Sequence, residues 1–406
     1  MNFEQSQKVR ELTAQLSDFM NKWIYPLEQE YYSYTKNNPW KIFPSMKSLQ
    51  DQAKQEKLWN LFLPREYGSL SPGLTNLEYA LLAEQMGRVL WSSQVFNCSA
   101  PDTGNMEVLA KYGSDAQKEQ WLKPLMNAEI RSAFLMTEPD IASSDATNIQ
   151  TSIVKDGDDY IINGRKWWST GAMNPDLRFY IVMGKTDPDA DRYHQQSMII
   201  VPSDAPGIKI LRSLEVFGNE ESPEGHAEII LENVRVPVEN LIQSEGDGFR
   251  IAQGRLGPGR IHHCMRLIGA AQRSLDLMCE RVSNRTAFGR SLSDFGSIRN
   301  DIALSKAEIT QARLLTLAAA DKIDRLGIKE SKDLISMIKV VVPNMACMVI
   351  DRAIQAYGAA GVSQDTPLSG FWIYARAMRI ADGPDAVHLN QLGRNTIKSY
   401  MKNKEA

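Results

Sequence analysis

Two stretches of the chain bring together groups that can hold a flat polar ring or a pyrophosphate. The first is Phe134-Leu135-Met136-Thr137-Glu138-Pro139-Asp140-Ile141-Ala142-Ser143-Ser144-Asp145, a strand that runs into proline and then a turn of small hydroxyl residues. Such a turn can present backbone N–H groups and Ser/Thr oxygens to a heterocycle or a diphosphate; taken alone it is more often an ordinary turn. The second is Asn163-Gly164-Arg165-Lys166-Trp167-Trp168-Ser169-Thr170. It reads as a hairpin turn leading into two tryptophans and two hydroxyls, whose rings serve either core packing or a face against a ring system. Cys98, Cys264, Cys279 and Cys347 are far apart and form neither a Cys-x-x-Cys pair nor a zinc spacing with histidine, so they read as reduced thiols and no metal is expected.

The elements that must position these groups fall into three blocks. Apolar residues recur at helical spacing in Val9, Leu12, Leu16 and Phe19 and again in Leu74, Leu77, Leu81 and Leu82, which predicts an N-terminal helical domain over 1–130. Four β-rich runs follow, Tyr160-Ile161-Ile162, Phe179-Tyr180-Ile181-Val182-Met183, Met198-Ile199-Ile200-Val201 and Ala227-Glu228-Ile229-Ile230-Leu231, bounded by turn pairs such as Asp156-Gly157 and Asn163-Gly164. They predict a middle β domain over 131–243, a barrel or sandwich. Helical periodicity returns from Ile251 onward and predicts a C-terminal helical bundle over 244–406. The expected class is α+β, in the order helix, sheet, helix.

Composition excludes some classes. The 406 residues, 43% hydrophobic and 23% charged, make a globular protein with a full core. A formal net charge of -3 supplies no basic field for nucleic acid. The longest apolar run, Ile338 to Ile350, is broken by Lys339, Pro343 and Asn344 and is shorter than the roughly 20 residues a bilayer span needs. The N-terminus shows neither a signal core nor a transit pattern, so a cytoplasmic location is expected.

Five motifs in order resemble the acyl-CoA dehydrogenase family over nearly the whole chain. They are the Thr137-Glu138-Pro139 to Ser143-Ser144-Asp145 segment, the Asn163 to Thr170 segment, Arg285-Thr286-Ala287-Phe288-Gly289, Gln355-Ala356-Tyr357-Gly358-Ala359-Ala360-Gly361 and Asp382-Gly383-Pro384. The resemblance implies an FAD enzyme that dehydrogenates acyl-CoA thioesters to trans-2-enoyl-CoA, as in fatty acid β-oxidation, and passes electrons to an electron-transfer flavoprotein. It implies that Phe134, Met136 and Thr137 face the flavin ring, that Ser143 and Ser144 lie near the pyrophosphate and the thioester, and that Trp168, Ser169 and Thr170 lie on the other side of the ring. Arg285 and Gln355, with Gly358, would bind the FAD of a neighbouring subunit of a homodimer or homotetramer; without the resemblance, Arg285 reads as a solvated helix-end charge.

By the same resemblance Leu256-Gly257-Pro258-Gly259-Arg260 opens the helix along the acyl-CoA channel, which makes Arg260 a substrate contact, as Ser144 and Gly383 would be. Alternatively, Gly-Pro-Gly is only a helix start. Some relatives carry the catalytic glutamate on that helix, which glycine and proline here rule out. Most others have Glu-Gly-Thr where this chain has Asp382-Gly383-Pro384, so Asp382 takes the place of the base, one methylene shorter. A subgroup similar to the C-terminal part of long eukaryotic members shares Asp-Gly-Pro-Asp with a following histidine. Pro384 and Asp385 fall in the cofactor-binding set, and Asp385 and His388 either tune the base or form a solvated pair. Gly296 stands where several relatives use glutamine near the adenine. An acyl-CoA oxidase, a flavin monooxygenase or a non-catalytic flavin-binding relative on the same scaffold are the alternatives.

Overall fold

The β-rich runs of the sequence fold together because each buries Val, Ile and aromatic side chains that the others cover. In a computed structural model of the chain, which describes residues 6–405, the strands are β1 (Arg131–Leu135), β2 (Ser152–Asp156), β3 (Asp159–Thr170), β4 (Leu177–Lys185), β5 (Gln196–Pro202), β6 (Ile208–Ser213) and β7 (His226–Pro237). They form one seven-stranded sheet of order β1-β4-β2-β3-β7-β6, with β5 paired to β4. Residues 1–5 and 406, at the ends of the expected domains, lie outside the described residues.

β1 runs parallel to β4, whereas β4–β5, β2–β3, β3–β7 and β6–β7 are antiparallel. Phe179 to Met183 and Met198 to Val201 are wholly buried, which is why β4 and β5 read as continuous apolar runs rather than alternating ones. Val182, Ile199, Ile229, Leu231, Val234 and Val236 belong to the central core cluster.

Three expectations are corrected. Asn163-Gly164 is not a hairpin turn but lies within β3, at a shift of register against β7. Glycine is needed there because a Cβ on Gly164 would stand 2.3 Å from Thr151 Oγ1, the close approach that a bulged strand glycine permits. β2 and β6 were not anticipated; Ile208–Ser213 is an exposed edge strand whose burial never alternates. The long helix begins at Gly248 and keeps Pro258 in its interior, so Gly257-Pro258-Gly259 does not open it.

By compactness the chain forms two units that cut across the sequence order. One comprises Pro26–Gly73 and Gln94–Leu256 and contains the sheet together with helices such as Asp102–Tyr112. The other comprises Met1–Tyr25, Leu74–Ser93 and Gly257–Ala406, and its described residues are mostly helical. Within it the Asn76–Met86 helix meets the long Gly248–Asn284 helix so closely that a Cβ on Gly269 would lie 2.0 Å from the Glu84 carbonyl oxygen. Asp324 caps the same short helix, accepting from the Asn76 and Leu77 backbone N–H groups at 2.9 Å each. Arg313 grips Glu84 with two nitrogens at 2.8 and 2.7 Å.

The Gly296–Tyr357 segment is two helices that meet at Gly327, whose φ of 79° and ψ of 172° are not helical. An apolar window in Gly296–Val362 has mean hydropathy 1.7, but 61% of it is buried inside the protein, as in a core helix.

Candidate functional site

In the sheet unit, the two motif segments are drawn side by side by one lysine. Lys166 is fully buried on β3, and its Nζ donates to the Met136 carbonyl at 3.0 Å, to Glu138 Oε1 at 2.9 Å and to the Met183 carbonyl at 2.7 Å. Glu138 is satisfied in turn by the Gln150 and Thr151 N–H groups at 2.8 and 2.9 Å and by the Thr151 hydroxyl at 2.6 Å. Burial pulls the Lys166 ammonium below its ordinary value, opposed by the Glu138 carboxylate, and its three acceptors match the three protons of an ammonium. The Trp167 N–H donates to the Thr137 carbonyl at 3.0 Å, which ties the end of the first motif to the second.

Past Lys166 the β3–β7 register shifts again, and Trp168 adopts φ 51° with 40% of its surface exposed. A bulge of this kind turns a side chain out of the alternation. Thr170, half-buried two residues on, bonds His226 Nδ1 through Oγ1 at 2.9 Å. Phe134, Met136 and Thr137 are half-buried at the end of β1, and the Arg255 guanidinium lies 4.1 Å from the Phe134 ring centre. Ser143 is committed to its own turn: its Oγ accepts from the Glu138 N–H at 2.9 Å and donates to the Glu138 carbonyl at 3.2 Å. Ser144 is exposed, and Ser169 is fully buried.

In the helical unit, Asp382 sits on a short loop with φ 57°, followed by Gly383 at 105°. These are left-handed values that a non-glycine residue adopts only when its surroundings hold it. Here three donors hold the loop's carbonyls. Buried Lys339 donates to Met378 and Ala381 at 2.6 and 2.8 Å, Arg260 Nε donates to Asp382 at 3.1 Å, and His388 Nε2 lies 3.3 Å from the same Asp382 oxygen. Burial lowers the pKa of both Arg260 and Lys339, with Asp382 among the opposing influences. His388 is driven down to about 4 by burial first and by Arg260 and Lys339 next. It is therefore neutral at physiological pH, and because a carbonyl can only accept, its proton sits on Nε2.

The Asp382 side chain is 23% exposed, and its Oδ2 is 3.5 Å from His263 Nε2. The helix that carries Arg260 thus also carries His263, one turn on. Asp385 is held by Arg379 through two nitrogens at 2.8 Å each and by Asn344 Nδ2 at 3.1 Å. That makes it a clamp across the ends of the loop. Arg260 likewise donates its Nε to the backbone of the same loop.

Arg285, Gln355 and Gly358 lie at another corner of the helical unit, all exposed. Arg285 leads into a two-residue hairpin, β8 (Thr286–Ala287) with β9 (Arg290–Ser291), at whose tip Phe288 is 98% exposed. Gln355 and Gly358 stand at the end of the Gly296–Tyr357 segment, where the Arg281 guanidinium lies over the Tyr357 ring at 5.2 Å. Gly296, at the other end of that segment, is exposed too.

His263, Lys339, Lys166 and His226 were missed as site residues. The signal for Lys339 was available, as a lysine inside an otherwise apolar run has to find acceptors. Arg260 and His263 share a helix face by their spacing of three, but nothing local says what that face meets.

The sheet-unit residues fit a flavin: Trp168 offers an exposed indole at a bulge, Thr170 sets a hydroxyl beside it, and the buried Ser169 Oγ and Trp167 Nε1 have no hydrogen-bond partner among the described residues. Comparison with known proteins agrees. Profiles of the acyl-CoA dehydrogenase N-terminal, middle and C-terminal domains match residues 6–129, 133–234 and 246–397. Acyl-CoA dehydrogenase family member 10 of Mus musculus is 53% identical over 98% of this chain, which spans only 38% of that protein's length. FadE2 of Mycobacterium tuberculosis is 53% identical over 97% of this chain and 96% of its own. A solved chain from Mycobacterium abscessus superposes with a TM-score of 0.95 at 48% identity, covering 98% of this chain and 100% of that one. The chain belongs to the acyl-CoA dehydrogenase family.

Proposed function

We propose that the chain removes the α and β hydrogens of an acyl-CoA thioester to give the trans-2-enoyl-CoA, with Asp382 as the base. The observation that carries this reading is the Asp382 loop, in which a partly exposed carboxylate is carried on a left-handed backbone by Lys339, Arg260 and His388. Such a carboxylate is held in position before substrate arrives, so reorganisation adds little to the barrier. FAD, when bound, accepts the β hydrogen as hydride. The chain's own residues do the rest. Asp382 takes the α proton, and the Asp382–Gly383 segment directs backbone toward the thioester carbonyl on which negative charge develops. Phe134, Met136, Thr137, Trp168 and Thr170 shape the ring site, and the exposed turn at Ser144 serves the diphosphate and the thioester.

On this reading electrons leave to an electron-transfer flavoprotein and the enzyme works in the cytoplasm. Arg285 and Gln355 serve the FAD of a neighbouring subunit in a homodimer or homotetramer. Their exposure supports that role, since an exposed guanidinium with no ion pair among the described residues is suited to pair with a diphosphate from outside. An anaerobic titration of the holoprotein with acyl-CoAs of increasing chain length tests the reading. Bleaching of the flavin by one class of chain is expected. A flavin that no acyl-CoA reduces would mark a binding protein, and rapid hydrogen peroxide formation in air would mark an oxidase.

A further inference from the structure

Glu107 has a buried carboxyl oxygen for which the proposed reaction gives no use. The residue lies on the Asp102–Tyr112 helix with 5% of its surface exposed, and its Oε1 has no hydrogen-bond partner among the described residues. Burial pushes the acid up to about 8, Arg255 and Lys111 oppose the rise, and Glu66 adds to it. A native fold rarely leaves such an atom unbonded unless a ligand or a water completes it.

The contacts around Glu107 are polar and close. One turn before it, a Cβ on Gly104 would stand 2.8 Å from Arg255 Nε, and at the end of the same helix a Cβ on Gly254 would stand 2.7 Å from the Tyr112 hydroxyl oxygen. The two glycines let a guanidinium and a phenol fill a helix contact where apolar side chains would otherwise interlock. Arg255 Nε donates to Asn105 Oδ1 at 3.4 Å, and its guanidinium lies 4.1 Å from the Phe134 ring centre. Phe134 belongs to the ring site of the proposed function, so one guanidinium joins that site to the helix that carries the unbonded oxygen. The Tyr67 phenol, raised first by burial, is raised next by the Glu107 charge.

We infer that Glu107 meets the far end of the acyl chain and selects a tail that carries a hydroxyl. The inference rests on the proposed function, which makes the substrate an acyl-CoA and gives its reacting carbons to Asp382 and the flavin; what reaches Glu107 past Phe134 is then the tail. A neutral carboxyl offers one O–H and one bare oxygen, whereas a carboxylate only accepts. A hydroxyl matches either form, because it both donates and accepts. A methyl-ended tail does neither, and it shuts water away from an oxygen that stays unbonded. A tail carboxylate has no hydrogen to give and sets a further negative charge beside Glu107 and Glu66.

The test is anaerobic flavin bleaching of the holoprotein by matched pairs of acyl-CoAs, one unsubstituted and one with a hydroxyl at the last or next-to-last carbon. At the best chain length, kcat/KM is expected to favour the hydroxylated member by about 10-fold or more. In Glu107→Leu that preference is expected to fall below about 2-fold, mostly through KM, since a contact remote from the reacting carbons serves ground and transition states alike. Glu107→Gln keeps a carbonyl oxygen on the same frame and is expected to retain part of the preference. Equal kcat/KM for both members of every pair in wild-type protein overturns the inference while leaving the proposed function standing, shows that water alone serves the oxygen, and needs no variant to fold. An undiminished preference in Glu107→Leu overturns it as well. Wild-type holoprotein that neither kind of acyl-CoA bleaches overturns the proposed function, and the inference with it.

Discussion

His263 Nε2 stands 3.5 Å from Asp382 Oδ2, while Nδ1 of the same ring is 3.2 Å from both the Tyr374 hydroxyl and an Arg266 guanidinium nitrogen. A guanidinium only donates, so Nδ1 accepts and the ring proton faces the carboxylate. A donor aimed at the charged form of an acid favours that form. Replacing His263 with Phe should therefore move the acidic limb of the kcat/KM profile to higher pH and lower kcat/KM on that limb by roughly 5-fold, about 1 kcal/mol of lost hydrogen bonding. An unmoved limb would show that the imidazole does not address the base.

Gly383 has φ 105°, and a Cβ there would stand 2.8 Å from His388 Nε2. Gly383→Ala therefore strains the backbone by about 1–2 kcal/mol and pushes His388 off the Asp382 carbonyl. Flavin reduction by acyl-CoA should slow at least about 10-fold, because a base displaced by a fraction of an ångström loses its alignment. Stopped-flow bleaching measures this, and a wild-type rate would mean that the loop's exact path is unimportant.

His388 is neutral in the fold, with its pKa at about 4 against an ordinary 6.5. The unfolded chain therefore binds more protons than the native one between those values, so stability rises with pH across that window and is lost as pH falls from 6.5 toward 4. At full depth the difference amounts to about 3 kcal/mol. Urea unfolding of wild type and His388→Asn at several pH values should show the two curves diverging below pH 6.5, with the wild type losing more. Parallel curves would indicate that the imidazole titrates as it does in water.

Lys166→Met leaves the Glu138 carboxylate buried without its cation and should destabilise the sheet unit by about 3 kcal/mol or more. Adding Glu138→Gln should restore part of that, since the charge left behind causes most of the loss. Both are read from denaturant midpoints. Equal stability of single and double variants would show that the carboxylate is already well served by Gln150 and Thr151.

The helix, sheet, helix order was legible because periodicity is local: Phe179 to Met183 and Val9 to Phe19 declare themselves from neighbours in the chain. The edges of the sheet were not. Ile208–Ser213 is exposed along most of its length, so no alternation marks it, and Asn163-Gly164 has the composition of a turn although the contact with Thr151 places it inside a strand. The candidate base was reachable through its motif, but its supports were not. Lys339, Arg260 and His388 hold carbonyls of the Asp382 loop, and only the fold shows which distant backbone an isolated cation serves. Ser143 shows the converse, a motif hydroxyl that closes its own turn.

The central claim, that Asp382 strips the α proton, is tested most directly by Asp382→Asn. The amide keeps the shape of the side chain and removes its basicity. The purified variant should be yellow with FAD bound, and its anaerobic bleaching by acyl-CoA should slow by about 10²–10⁴-fold, the range of a lost general base. Bleaching at the wild-type rate in that variant would contradict the assignment outright.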